Sequence, residues 1–243
     1  MAQVVRTGEI YDTASLAKEI QIARGILEFD KGPYHNAISL PSAEQIYAPY
    51  RTHRNSVPFS GALDSCPYLK SIFDSFQTEK AAFRLLRRVP HSAYAFHDDK
   101  DRGRDIARFQ IPINTSKSAF LLIAHDGLEL KRFDTDGSGF KGNENGDIWF
   151  NMAQLHDACA DVVELFYLDA GCMNYFDTDQ VHTLINGADE ERITLSIDMV
   201  MNEWLENWMQ ANLTHTVSPS PIEPSESIGW KWNTLRNGII RTD

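Results

Sequence analysis

The chain of 243 residues has little cysteine: Cys66, Cys159 and Cys172 are odd in number and widely spaced. That excludes a disulfide framework and suits reduced thiols in a cytosol. Long apolar runs are also missing, and no stretch approaches the ~20 residues that span a bilayer. Met1 leads into Ala-Gln-Val-Val-Arg-Thr, with no charged start followed by an apolar segment, so a cytoplasmic location is the expectation. Basic residues are outnumbered, 23 Lys and Arg against 34 Asp and Glu, for a net charge of -11. Long-range repulsion then argues against a nucleic-acid backbone or an anionic membrane as partner and leaves a small molecule or a protein.

What is present suffices for one sizeable core, with 42% hydrophobic and 11% aromatic residues. The reading is one domain over residues 1–215, with an N-terminal helical part at 1–79 and a core at 80–200. A linker and an aromatic tail follow at 216–243. Val4 to Tyr11 is β-prone, and Asp12 then opens an amphipathic run through Leu16, Ile20, Ala23, Ile26 and Leu27 at helical spacing. Lys31 to Ser65, rich in Pro, Gly, Asn and Ser, reads as loops and short strands. Pro67 to Phe76 reads as a short helix, and Ala82 to Val89 and Ser92 to His97 read as strands. Further strands are expected at Ile106 to Asn114, Ala119 to Ala124, Leu128 to Phe133, Glu164 to Asp169, Gly171 to Asp177 and Arg192 to Met199. Asp147 to Val162 has a helical period, and Trp204 to Leu213 reads as a helix. Many short strands after a helical start suggest a β-sandwich or jelly roll with helices packed outside, a mainly β fold with peripheral helices.

The residues that carry chemistry are His97, Asp98 and Asp99, followed by His182 and Arg192. Two imidazoles and one carboxylate form the donor set of a non-haem iron(II) site, with positions left open for a chelating acid and O₂. If the pleat persists through residues 97–99, His97 and Asp99 point to one side and Asp98 away. Strands of a roll can bring His182 to the same ion from far along the chain. A His-x-Asp triplet alone fits surface polar residues as well.

The segment Ser92 to Met199 resembles the cupin-type iron(II)/2-oxoglutarate dioxygenases related to aspartyl/asparaginyl β-hydroxylase, and among them the bacterial free-proline hydroxylase branch. The resemblance rests on Ala93-Tyr-Ala-Phe-His97-Asp-Asp99, Arg108-Phe-Gln-Ile-Pro-Ile113, Gly171-Cys-Met-Asn-Tyr-Phe-Asp-Thr-Asp-Gln-Val-His182 and Arg192-Ile-Thr-Leu-Ser-Ile-Asp198, all in order. It implies a double-stranded β-helix of the jelly-roll (cupin) type. It further implies His97, Asp99 and His182 as iron ligands, and Arg192 as the partner of the distal carboxylate of 2-oxoglutarate, fork to fork. Thr194, two residues along the strand, is placed to add a hydroxyl. Arg108 aligns with a family arginine near the co-substrate or the substrate carboxylate. Gln110 stands where the family commonly has His, and retains a hydrogen bond without a charge. An intact Asp99 favours hydroxylation over halogenation, with iron(II), 2-oxoglutarate and O₂ consumed to give succinate and CO₂.

Other motifs compete. His156, in Gly146-Asp-Ile-Trp-Phe-Asn-Met-Ala-Gln-Leu-His156, imitates the family's glycine-to-histidine segment but lacks an arginine at the matching distance. Asp134-Thr-Asp136-Gly-Ser138-Gly139 resembles half a calcium loop, yet its last position is Asn145 rather than Glu. Arg84 and Arg87 are candidates for a substrate carboxylate, whereas Arg88 reads as a solvated ion-pair residue. The leading function is hydroxylation of a free amino acid or similar small acid, with substrate contacts expected in Lys31 to Ser65. The alternatives are hydroxylation of an Asp, Asn or other side chain within a peptide or protein, and a non-catalytic roll that binds a partner. Trp204, Trp208, Trp230 and Trp232 are candidates for a homodimer interface.

Overall fold

The computed structural model describes residues 3–27, 29, 37–51, 58–88, 90, 92–93, 97–100, 105–125, 147–151, 163–221, 229–233 and 238–242. Strand β1 (Val4–Ile10) leads into helix α1 (Thr13–Ile26). Asp12 starts that helix, its carboxylate accepting from the Ala14 and Ser15 amides at 3.0 and 3.3 Å. Leu16, Ile20 and Ala23 form the buried stripe of α1. Glu19 is buried among them because it caps the next helix, α2 (Pro67–Ser75): its two oxygens accept from the Tyr68 and Leu69 amides, both at 2.8 Å.

Between and after these helices come β2 (Ala37–Ser39), β3 (Lys80–Arg88), β4 (Ser92–Ala93), β5 (Ile106–Asn114), β6 (Ala119–Ala124) and β7 (Asp147–Asn151). They are followed by β8 (Val163–Phe166), β9 (Cys172–Phe176), β10 (His182–Asn186), β11 (Arg192–Val200), α3 (Glu203–Asn212), β12 (His215–Val217), β13 (Gly229–Asn233) and β14 (Gly238–Thr242). One sheet of 7 strands has the order β12-β1-β9-β5-β11-β3-β2 and faces a sheet of 4 strands, β4-β10-β6-β8. The interleaving of β3-β11-β5-β9 with β4-β10-β6-β8, all pairs antiparallel, is the order of a double-stranded β-helix, or jelly roll. The fold is mainly β with helices outside, in line with the expectation from sequence.

Strand β11 divides the protein. Ile193, Leu195, Ile197 and Met199 point outward into the main core, with Phe83 and Leu85 of β3, Phe109 and Ile111 of β5, and the apolar faces of α1 and α2. Arg192, Thr194, Ser196 and Asp198 alternate with them and are buried on the opposite side, inside the roll. A smaller cluster, Leu121, Ile123, Phe166, Phe176 and Leu168 with Val4, lies between the two sheets. The stabilising core is therefore outside the roll, and part of the interior is free to be polar.

Several expectations need correction. The segment Asp147 to Val162 does not continue its helical period: Asp147–Asn151 is a strand paired with β13, where consecutive Ile, Trp and Phe residues suit a ladder. Residues 152–162, which include His156, lie outside the described residues, as do Leu128 to Phe133 and the calcium-like turn. His182 opens β10, a strand not expected from the sequence. Trp204 and Trp208 are half-buried, and both pack edge-on against Phe76 at 6.3 and 5.3 Å. The side chains of Trp230 and Trp232 are outside the described residues. No described helix is long and apolar enough to cross a membrane.

Gly171 joins β9 to the N-terminal strand. Its φ is +77°, and a Cβ there would lie 2.6 Å from the Tyr11 carbonyl oxygen, which is backbone and has nowhere to go. Gly171→Ala is expected to destabilise by at least about 1–3 kcal/mol through the backbone alone. Gly25→Ala, in α1 with nothing within 4 Å of the added methyl, should be neutral or stabilise by up to about 1 kcal/mol. Urea denaturation of both variants checks the contrast.

Candidate metal centre

His97 and His182 are brought together by backbone. The two residues exchange amide-to-carbonyl hydrogen bonds at 3.0 and 2.8 Å as an isolated antiparallel bridge, and their rings sit 4.3 Å apart. Asp99 is fixed one pleat further on, where its amide donates to the Thr178 carbonyl at 2.9 Å. One ligand atom from each of His97, Asp99 and His182 lies within 4.8 Å of the others. Asp98 takes another direction and pairs with Lys100 at 3.2 Å, as strand alternation leads one to expect.

The tautomer of His182 follows from its surroundings. Nδ1 lies 2.8 Å from the Gln180 carbonyl oxygen, which can only accept, so Nδ1 carries the proton and Nε2 keeps its lone pair. Burial, aided by the neighbouring His97 ring, pushes the His182 pKa down to about 3, so the imidazole is neutral across the physiological range. Phe176 packs edge-on against the ring at 5.2 Å. A neutral imidazole with a fixed free nitrogen in an apolar socket is suited to hold a metal. Burial raises the Asp99 carboxyl pKa, although the Arg108 and His97 charges oppose the shift.

Deeper in the roll, Arg192 is 1% exposed, and its Nε, Nη1 and Nη2 have no hydrogen-bond partner among the described residues. Burial, with the like charge of Arg88 as a lesser cause, lowers its pKa to about 9. Such a cation is costly to bury unless an anion completes it. The neighbouring Thr194 hydroxyl on the same face also has no partner among the described residues. These two residues form a cradle for a carboxylate.

The next rows of the inner face are polar too. Ser196 on β11, Gln110 on β5 and Asn174 on β9 stand opposite one another across three adjacent strands. Asn174 Nδ2 donates to the Cys172 carbonyl at 2.7 Å, which turns its Oδ1 away, buried and without a partner among the described residues. Ser196 Oγ and Gln110 Oε1 are likewise unpartnered among the described residues. Beyond them, Asp198 lies between Arg108 and Arg84. Arg108 donates to both Asp198 oxygens at 2.6 Å and to Asp99 Oδ2 at 2.7 Å, and Arg84 reaches Asp198 at 3.2 Å. Burial alone would raise the Asp198 carboxyl, but the two guanidiniums hold it below its ordinary value.

The structure thus gathers His97, Asp99, His182, Arg192, Thr194, Gln110, Arg108 and Arg84 around one interior. Arg87 is carried to the opposite face, where it pairs with Glu191 at 3.8 Å and lies over the Phe29 ring at 5.0 Å. Arg88, read from sequence as a solvated residue, stands directly opposite Arg192. Reasoning from sequence also missed Ser196, Asp198 and Asn174. For the first two the signal was present, since they simply continue the alternation that begins at Arg192 and Thr194.

No protein-family model matches the chain, and no curated protein matches it. Among solved structures it is similar to HygX from Streptomyces hygroscopicus with nickel and 2-oxoglutarate bound, at 10% identity and a TM-score of 0.47, covering 83% of this chain and 84% of that one. AviO1 from Streptomyces viridochromogenes Tue57 aligns at 15% identity and a TM-score of 0.44, over 84% and 91% of the two chains. The non-heme alpha ketoglutarate dependent carbocyclase SnoK aligns at 11% identity and 0.45, over 81% and 79%. At these identities and scores the neighbours carry no argument about activity, which rests on this chain's own residues.

The unpaired Arg192 has a measurable consequence. Arg192→Met removes a buried uncompensated charge, so the ligand-free variant should melt higher than wild type. A dicarboxylate such as 2-oxoglutarate should stabilise wild type by about 2.7 kcal/mol at a hundred times its Kd, and the variant by far less. Thermal melts with and without 2-oxoglutarate read both effects.

Proposed function

We propose that the protein is a non-haem iron(II)/2-oxoglutarate-dependent dioxygenase that hydroxylates a free amino acid or similar small acid. The observation that carries this reading is the pairing of two features in one interior. A His, Asp and His set, with Asp99 and His182 buried and His97 half-buried, has ligand atoms within 4.8 Å of one another, and a fully buried arginine has no partner for its three nitrogens among the described residues.

In this reading His97, Asp99 and His182 hold the iron. When bound with 2-oxoglutarate, iron(II) supplies the activation of O₂, coupling loss of CO₂ and formation of succinate to insertion of one oxygen atom into a C–H bond. Arg192 receives the distal carboxylate with its fork of N–H donors, and Thr194 adds a hydroxyl from the same strand face. The Gln180 carbonyl keeps the His182 proton on Nδ1. Phe176 and the apolar cluster behind it exclude water from that side of the site. Gln110 lies one row along from Thr194, within the same interior.

The row of Ser196, Gln110 and Asn174 supports the amino-acid reading. Its unpartnered oxygens need hydrogen-bond donors, and an ammonium group provides three N–H bonds at one point. Arg84 faces the same interior from β3, where it contacts Asp198 at 3.2 Å. A purely structural roll has no reason to bury Arg192 unpaired, which tells against the non-catalytic alternative.

Anaerobic titration with iron(II) and 2-oxoglutarate tests the assignment through the weak visible band of the chelate. Wild type should give the band, and His182→Ala should abolish it. Arg192→Ala should require about 10–100-fold more 2-oxoglutarate, the equivalent of a charge-assisted pair worth about 1.5–3 kcal/mol. With O₂ admitted, free amino acids should release succinate and short Asp- or Asn-containing peptides should not. Succinate release with peptides alone would move the substrate to a protein side chain. A wild type without a band, or a band indifferent to His182, ends the proposal.

A further inference from the structure

The metal reading leaves a second buried charge cluster unassigned. Arg108 lies on β5 directly opposite Asp198 of β11, so the sheet ladder sets their spacing. The guanidinium spends one edge on Asp198, with Nε to Oδ1 and Nη2 to Oδ2, both at 2.6 Å. A planar fork bound on one edge has its remaining N–H groups aimed in fixed directions. Nη1 points at Asp99 and donates to Oδ2 at 2.7 Å. On the other side of Asp198, Arg84 comes from β3 and contacts Oδ2 at 3.2 Å. The carboxylate of Asp198 is thus held from both neighbouring strands.

We propose that Arg108, locked by Asp198, is a positioning residue for Asp99: it occupies Oδ2, so that the carboxylate offers Oδ1 alone to a metal. The inference rests on the metal reading above and deepens it. A carboxylate with both oxygens free can chelate an ion and take two of its positions. One with Oδ2 engaged takes a single position and leaves the rest for a bidentate co-substrate and O₂. The clamp also removes rotational freedom that a buried, unsupported Asp99 would otherwise have to lose on binding a metal.

Charge balance separates this role from the co-substrate contact that the resemblance implies for Arg108. Arg84, Arg108, Asp99 and Asp198 together sum to zero with every group ionised, and they need no further anion. Arg192 does need one. Each of the three Arg108 nitrogens already donates to a carboxylate at 2.6 or 2.7 Å, while the Arg192 nitrogens on the same sheet face have no partner among the described residues.

Cobalt(II) serves as the probe, since its visible d–d bands report coordination number without turnover. Arg108→Gln should bind cobalt(II) about 10–100-fold more weakly than wild type, the usual cost of losing a hydrogen bond that orients a metal ligand. Its d–d bands should change as Asp99 rotates, while half-saturation by 2-oxoglutarate at saturating metal stays at the wild-type value. Arg108→Lys should recover part of the affinity, because it returns one N–H to Asp99 without the fork to Asp198. Since Arg108→Gln alone strands buried carboxylates, the double variant Arg108→Gln/Asp198→Asn removes one charge of each sign. It should keep the wild-type Tm and still lose cobalt(II) affinity. Wild-type cobalt(II) binding and bands in both variants, together with a raised requirement for 2-oxoglutarate, would overturn the inference and return Arg108 to the co-substrate. If wild type itself shows no cobalt(II) bands that depend on His182, the metal reading falls and the clamp with it.

Discussion

The period of two along β11 is the constraint on which the rest depends. Each outward residue from Ile193 to Met199 is apolar and buried in the core beneath the helices, and each inward one from Arg192 to Asp198 is polar and buried in the roll. A slip of one residue against β3 or β5 would put four aliphatic side chains into the interior and an arginine and an aspartate under α1 and α2. The hydrophobic penalty for that exchange fixes the register. The same register that stabilises the fold therefore aligns the polar interior.

That interior contains two electrostatic regimes within one strand. At the Asp198 end, carboxylates and guanidiniums meet at hydrogen-bond distance and neutralise one another. At the Arg192 end, a buried guanidinium without a partner among the described residues stands opposite Arg88 of β3. Burying the second arrangement is possible because the outer core, with Phe83, Phe109, Leu85 and Leu195 fully buried, stabilises the sheet independently of what lines its inside. Stability and site occupy opposite faces of the same strands, and strain on one side is absorbed by packing on the other.

Much of this was legible in the sequence. The strands Ile106 to Asn114, Ala119 to Ala124 and Arg192 to Met199 announce themselves by β-branched and aromatic residues, α1 by its Asp12 cap and apolar stripe, and α2 by Pro67 at its start and its apolar stripe. The cluster of His97, Asp99 and His182 could be suspected from residue types and resemblance. The fate of Asp147 to Asn151 could not be read locally: its partner β13 lies far along the chain, and pairing overrode the helical period. The side to which Arg87 points could not be read for a related reason. Adjacent residues on a strand face opposite ways, and only the register with Glu191 and Arg192 tells which one looks inward. The role of Asn174 depends on the crossing from β9 to β5, which no local pattern encodes.

The backbone bridge between His97 and His182 also bears on the order of events during folding. The two residues lie far apart in the chain and meet only in the folded roll, where β6 pairs with β10 from His182 onward. In the unfolded chain His97 and Asp99 alone are near one another, a poor chelate. Metal therefore has no finished socket to enter until most of the sheet has formed. Unlike small zinc modules, whose ion organises the chain around itself, a donor set of this kind is completed by the pairing of the sheet, and an ion bound there would occupy a site the backbone has already assembled.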